Sequence, residues 1–252
     1  MLDILPHDGD IHEIRMARPP VNALDPTLVN ALREAITQAP LNGARGIVLS
    51  GAQGLFSAGV DVPALLQLDR GGVHAFWNDF FALCGAIAAS PVPVVAAITG
   101  HSPAGGAVLA LFADYRVMAH GVYRIGLNEV QVGLSVPGPI QFAMRRIVGT
   151  YRAERLMVAG AMVDAETAHA IGLVDELAAL EQVVTRSVLW LADLLKSPPH
   201  AMLRTRAIAR ADLLEVWGDT NGLLDEGFID DFFAQETQAT LHALVAKLKN
   251  KG

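Results

Sequence analysis

Between residues 91 and 113 the chain carries no Asp, Glu, Lys or Arg, and no other stretch constrains the fold as strongly. A run of that length is long enough to cross a membrane as one helix. Pro91, Pro93, Gly100, Pro103, Gly105 and Gly106 fall within its first two-thirds, however, and would break a single helix. The run therefore divides into a buried strand over residues 92–98, a glycine-bearing loop, and a buried helix starting near the Gly105-Gly106 pair. The first N–H groups of a helix have no partner inside it, and the helix dipole places partial positive charge there. Glycines let another molecule approach that backbone closely. Residues 100–108 can thus hold a developing negative charge with main chain alone.

The rest of the composition narrows the class. Of 252 residues, 52% are hydrophobic and 18% charged, the balance of a globular protein rather than a disordered one. A net charge of −7 gives no general attraction for nucleic acid or an anionic membrane, so any phosphate on a ligand must be met locally. Cys84, the single cysteine, rules out an internal disulfide and a cysteine-based zinc site, which suits a reducing compartment. The first residues show no basic segment followed by an apolar one, and the last three are not a peroxisomal signal. A cytoplasmic location is expected.

Residues 11–17 alternate like an early strand. Asp25-Pro26 reads as an N-cap with proline in the first turn, with Leu28, Leu32 and Ile36 following at helical spacing. Residues 46–50 and 115–119 read as short strands, 73–89 as a helix ended by Ser90-Pro91, and Pro137-Gly138 as the start of another helix. Asp164 caps a helix that stops at Gly172, and residues 173–177 resemble a last strand. From Ala178 onward the pattern is helical, broken at Pro198-Pro199 and near Gly222. Strands interleaved with helices, then helices alone, predict an α/β core with a helical tail. The tail carries Phe228, Phe232 and Phe233, then Leu241, Leu244, Val245 and Leu248, with Lys247, Lys249 and Lys251 beside them. That stripe fits a helix docked on its own core, and also a helix packed on a neighbouring subunit with its lysines near a ligand phosphate.

Four segments carry the chemistry: Pro20-Val-Asn-Ala-Leu24, Phe56-Ser-Ala-Gly-Val-Asp-Val62, Gly100 to Gly106, and Ile125-Gly-Leu-Asn-Glu-Val-Gln-Val-Gly133. Glu129, in the last, is the only acid between Asp114 and Glu154. An apolar pocket would raise its pKa and make it a better base for a weakly acidic carbon. As a bare residue it fits equally a solvent-facing loop or a pair with Arg145 or Arg146. Other candidates have simpler explanations. Asp8-Gly-Asp10 with His12 suggests a metal but reads more simply as a turn before a strand. Ser57 and Ser102 lie outside any Gly-x-Ser-x-Gly elbow. His101 reads as a structural or pocket-lining residue and Cys84 as a small buried one. The chain contains no Gly-x-Gly-x-x-Gly or Walker loop.

In that order and at that spacing, the four segments resemble the crotonase superfamily, the enoyl-CoA hydratases and isomerases, over nearly the whole chain. The resemblance implies a crotonase (ClpP-like) α/β fold: a spiral of ββα units over residues 1–195, then a helical region, 196–252, that packs on the core and a neighbouring subunit in a homotrimer or dimer of trimers. It implies an acyl-CoA thioester substrate, with coenzyme A as part of the substrate and no metal or other cofactor. Backbone N–H groups of Val60 and Gly105 would bind the thioester oxygen. Asn22, Ala23, Leu24, Ala58, Gly59, Asp61 and Val62 would hold coenzyme A, with Asp61 better suited to fixing the turn than to chemistry. Gly106 and Asn128 would line the site, and Lys247 would lie near a phosphate.

Within the superfamily, Ser-Pro-Ala-Gly-Gly at 102–106, Asp114-Tyr-Arg116 and Ile-Gly-Leu-Asn-Glu look like the mitochondrial-type Δ3,Δ2-enoyl-CoA isomerases. Hydratases carry one of two catalytic glutamates two residues after Gly106, where this chain has Val108. Adding water takes one group to deprotonate it and another to manage the proton at C2. Moving a double bond from C3 to C2 needs only one carboxylate and a stabilised enolate. Glu129 as the single acid implies an isomerase of fatty-acid β-oxidation. A hydratase, lyase or hydrolase of acyl-CoA, or a non-catalytic acyl-CoA-binding protein, is the alternative.

Overall fold

The computed structural model describes residues 1–216 and 226–249. Strands β1 (Leu2–His7) and β2 (Ile11–Met16) form an antiparallel hairpin. Asp8-Gly-Asp10 makes its turn, with positive φ at Gly9 and Asp10. β1 was not foreseen in the sequence. It is an edge strand with no fully buried residue and a proline, Pro6, that only an edge tolerates. Asp25 then caps α1 (Pro26–Leu41), accepting from Leu28 N–H at 2.8 Å, and Leu28, Leu32 and Ile36 are buried as their spacing requires.

Three similar units follow. Strand β3 (Gly46–Ser50) leads to β4 (Gly54–Leu55) and to helices α2 (Val62–Leu65) and α3 (Arg70–Ala89). Strand β5 (Val94–Ile98) leads to β6 (Gly100–Pro103) and α4 (Gly105–Leu111). Strand β7 (Tyr115–Ala119) leads to β8 (Arg124–Gly126), a single 3-10 turn at Glu129–Val132, and α5 (Gly138–Val148). Each first strand joins a six-stranded sheet, ordered β1-β2-β3-β5-β7-β10, and each second strand a four-stranded sheet, ordered β4-β6-β8-β9. The repeated ββα unit is thus present three times. The remaining elements are α6 (Thr150–Val158), β9 (Val163–Asp164), α7 (Ala165–Ala170), β10 (Glu176–Ala178), α8 (Val183–Leu194), α9 (Pro199–Ala209), α10 (Ala211–Glu215), α11 (Glu226–Phe233) and α12 (Gln235–Lys249).

The large sheet buries both faces, which is why its central strands read as unbroken apolar runs. Ile47, Leu49, Ala96 and Met118 face the main core with α1, α3 and α4, whereas Val48, Val95 and Val117 face α8. The last strand lies at Glu176–Ala178, beside β7, rather than over 173–177. Leu173 and Val174 are buried core residues that precede it, so their apolar character marked packing and not pairing.

Helices α11 and α12 fold back on their own chain. Phe228, Ile229, Phe232 and Leu241 are buried, and Phe228 meets Trp77 of α3 edge-on at 5.1 Å. Lys247 is exposed. The surroundings of Leu248 and Lys249, and all of Gly222 and Lys251, lie outside what is described. Among the described residues, no helix is long and apolar enough to cross a membrane.

Candidate active site

Strands β4, β6 and β8 are neighbours in the small sheet and run parallel. Their C-terminal ends therefore share one edge, and the chain leaving each end passes through Val60, Gly105 and Glu129 respectively. Ligand sites in α/β folds form where such ends converge. Here the repeat itself gathers three distant sequence segments around one cavity of about 540 Å³, lined by all three residues.

Main-chain geometry leaves two donors free at residues that line that cavity. Leu24 and Val60 form an isolated parallel bridge, with Leu24 N–H donating to Gly59 O at 2.8 Å and Asp61 N–H donating to Leu24 O at 3.0 Å. In a parallel bridge the middle residue of the flanked strand turns its own N–H the other way, so Val60 N–H points away from Leu24. Gly105 opens α4, and its N–H is one of the helix's unpaired first donors. Neither N–H finds an acceptor among the described residues. The two segments are in van der Waals contact: a Cβ added to Gly105 would stand 3.3 Å from Val60 N, and one on Gly59 (φ +85°) would stand 3.1 Å from Pro103 O and 3.3 Å from Gly105 N. Glycine at 59 is what lets these donors converge.

A charge clamp fixes the Val60 segment. Arg18 Nη2 reaches Asp25 Oδ2 at 3.0 Å and Asp61 Oδ2 at 2.8 Å, while its Nη1 donates to Ala23 O at 3.1 Å. Each aspartate uses its other oxygen to cap a helix, Asp25 for α1 and Asp61 for α2 through Ala64 N–H at 3.0 Å. Asn22, at φ 48°, adds a second tie. Its Oδ1 accepts from Arg18 N–H at 2.9 Å, its Nδ2 donates to Phe56 O at 3.2 Å, and its carbonyl accepts from Ser57 Oγ at 2.8 Å.

Glu129 faces the cavity from the 3-10 turn after β8. It is 8% exposed, and its Oε2 is buried without a hydrogen-bond partner. Burial pushes its pKa up to about 7, opposed only by a hydrogen bond from its own backbone. The pairs that the bare sequence left open are absent: Arg145 donates to Gln141 Oε1 at 2.8 Å, and Arg146 to Asp212 Oδ2 at 2.9 Å. Val108 also lines the cavity, so no carboxylate stands there. This arrangement can take a proton from a substrate carbon at Glu129 and hold the resulting negative charge at two main-chain donors.

Ala23, Ala58, Asp61, Val62 and Asn128 also line the cavity. Asn22, Leu24, Gly59 and Gly106 lie behind it, and Lys247 lies on the exposed side of α12, away from its lining. The sequence did not single out Arg18, or Trp77, Phe80, Leu134 and Ile140 of the apolar wall, and it read Phe228 and Leu244 of that wall as a docking stripe rather than as lining. Nothing in the residue types marks that wall, because apolar residues at helical spacing read the same in a core and around a ligand.

The profile described as enoyl-CoA hydratase/isomerase matches residues 7–251. The chain belongs to that family. It is 34% identical over 214 residues to the probable enoyl-CoA hydratase EchA17 of Mycobacterium tuberculosis, covering 83% of this chain and 79% of that protein. It is 30% identical over 200 residues to human mitochondrial enoyl-CoA delta isomerase 1, covering 78% of this chain and 66% of that one. Among solved structures, human mitochondrial Δ3-Δ2-enoyl-CoA isomerase superposes with a TM-score of 0.94 at 26% identity, over 99% of this chain and 98% of that one. EchA3 from Mycobacterium ulcerans, named an enoyl-CoA hydratase, superposes with a TM-score of 0.80 at 28% identity, over 95% and 98%. The fold is the crotonase fold, and relatives named for both activities share it.

Proposed function

We propose that the protein is a Δ3→Δ2-enoyl-CoA isomerase of fatty-acid β-oxidation. The observation that carries this reading is the single buried, unpaired carboxylate facing a cavity whose other acid, Asp61, is held by Arg18. In the 3-enoyl thioester, the Glu129 carboxylate takes a proton from C2. The C–H electrons form a C1–C2 double bond, and the carbonyl electrons move onto oxygen, which accepts from Val60 and Gly105 N–H. The enolate then collapses: the C1–O double bond reforms, C2=C3 forms, and the C3=C4 electrons take the proton back from Glu129 at C4. No redox or metal step enters, and coenzyme A serves as the substrate's handle. One oxyanion donor is worth about 3 kcal/mol of transition-state stabilisation. A homotrimer or dimer of trimers is part of the same proposal.

The second reading is enoyl-CoA hydration, favoured by the name of the EchA17 relatives. It would require Glu129 alone to hold a water and return a proton, since Val108 offers neither service. Supplying 3-enoyl-CoA and 2-enoyl-CoA separately decides between the two. Conversion of the first to 2-enoyl-CoA supports isomerisation. Consumption of only the second, with a 3-hydroxyacyl product, overturns it, and binding without turnover of either points to a non-catalytic acyl-CoA-binding protein.

A further inference from the structure

We infer that Thr237, on the C-terminal helix, is a positioning residue that fixes the Glu129 turn against the cavity. This rests on the reading of Glu129 as the base. The turn Glu129–Val132 is one 3-10 turn, too short to hold its own geometry. It closes at Gly133 (φ 82°), where Gly133 N–H donates to Val130 O at 3.3 Å and Leu134 N–H to Glu129 O at 3.1 Å. Helix α12 seats on that closure. Thr237 is 4% exposed, and its Oγ1 donates to Gly133 O at 3.0 Å. A Cβ on Gly133 would stand 2.9 Å from Thr237 Oγ1 and 3.1 Å from Thr237 Cα, so the helix occupies the space that a side chain would fill. On the other side, Gln131 Nε2 donates to Gly160 O at 2.8 Å. The turn is gripped from two directions, by the loop after α6 and by the C-terminal helix.

The same face of α12 reaches the ligand space. Thr237, Leu241 and Leu244 follow at helical spacing; Leu241 is fully buried and Leu244 lines the cavity. One helix therefore touches both the base's turn and the wall a bound acyl-CoA would meet. The other ionisable groups lining the cavity, Arg18 and Asp61, are paired with each other. Asp231 of α11 lies 3.4 Å from Ser135, and Glu236 of α12 is exposed. None of them ties down Glu129, so its placement depends on the turn. A base displaced by an ångström can lose about a hundredfold in rate.

The test uses Thr237→Val, which keeps shape and removes the hydroxyl, in the full-length protein assayed with 3-enoyl-CoA. The kcat should fall about tenfold with KM within about twofold, because the hydrogen bond serves placement and not binding. The acidic limb of the kcat/KM–pH profile should move down from near 7, as a loosened turn admits water to Glu129. Thr237→Ser should restore both. Gly133→Ala reaches the same contact from the turn and should reproduce the loss and the shift, with thermal melting used to count the folded fraction. Folded Thr237→Val with wild-type kcat and pH profile overturns the inference, as does Thr237→Ser no better than Val. Glu129→Gln in the same assay keeps the two ideas apart. Its retention of turnover sinks the base itself, whereas its inactivity beside a silent Thr237→Val sinks only the role of Thr237.

Discussion

Val60 and Gly105 face the cavity with main chain, whereas Glu129 faces it with a side chain, and the two sides are held in different ways. The main-chain side, the proposed oxyanion site, is stitched into the core by the Leu24–Val60 bridge, the Arg18 clamp and the start of α4. The acid side hangs on one short turn closed by α12. Substitution of side chains should therefore be tolerated on the first side and punished on the second. Backbone crowding should reverse that order.

The acid side yields the largest effect. Glu129→Gln removes the proposed base and should lower kcat on 3-enoyl-CoA by about a thousandfold, leaving CoA-ester affinity within a few-fold by calorimetry. The same variant should gain stability, with a definite pH dependence. The folded-state pKa of Glu129 is raised from 4.5 to about 7, so the folded protein keeps a proton that the unfolded chain has released. Its contribution is complete below about 4.5 and lost as pH rises through 7, a change of about 3 kcal/mol. Chemical denaturation should thus find Glu129→Gln ahead of the parent at pH 8 and level with it near pH 4.5. An equal gap at both values would remove the desolvated carboxylate from the account.

On the oxyanion side, Gly59→Ala pushes a methyl group against Pro103 O and Gly105 N and should cost about a hundredfold in kcat, the loss of one donor. Steady-state kinetics at fixed folded fraction checks it. The pH profile gives a smaller handle. On the proposed mechanism turnover needs the ionised carboxylate of the free protein, so kcat/KM should fall about tenfold per pH unit below 7 rather than hold level down to the ordinary glutamate range. Smallest of all, Val60→Ala should stay within about threefold of the parent, because its N–H survives. A large loss there would mean that the side chain, and not the main chain, serves the reaction.

Much of this arrangement was legible in the sequence. The glycine pair at 105–106 after an apolar strand announced a helix start with free donors, and Glu129 stood out as the lone acid in an apolar stretch. The N-caps Asp25 and Asp164 placed their helices correctly. The small sheet was not legible, because strands as short as Gly54–Leu55 carry no periodicity, yet that sheet brings Val60, Gly105 and Glu129 together. Asp61 read rightly as a turn-fixing residue, but its partner Arg18 did not show, since a pairing across 43 positions leaves no local pattern. The seat of Thr237 on Gly133 was invisible for the same reason.

The account's central claim is that one buried carboxylate carries a proton from C2 to C4. The direct measurement is to supply 3-enoyl-CoA deuterated at C2 and locate the label in the 2-enoyl-CoA product by mass spectrometry and NMR. Glu129 Oε2 is shut away from solvent, so a substantial share of the deuterium should reappear at C4. A C4 hydrogen drawn entirely from solvent would mean that Glu129 does not carry the same proton across, and would contradict the direct C2-to-C4 shuttle.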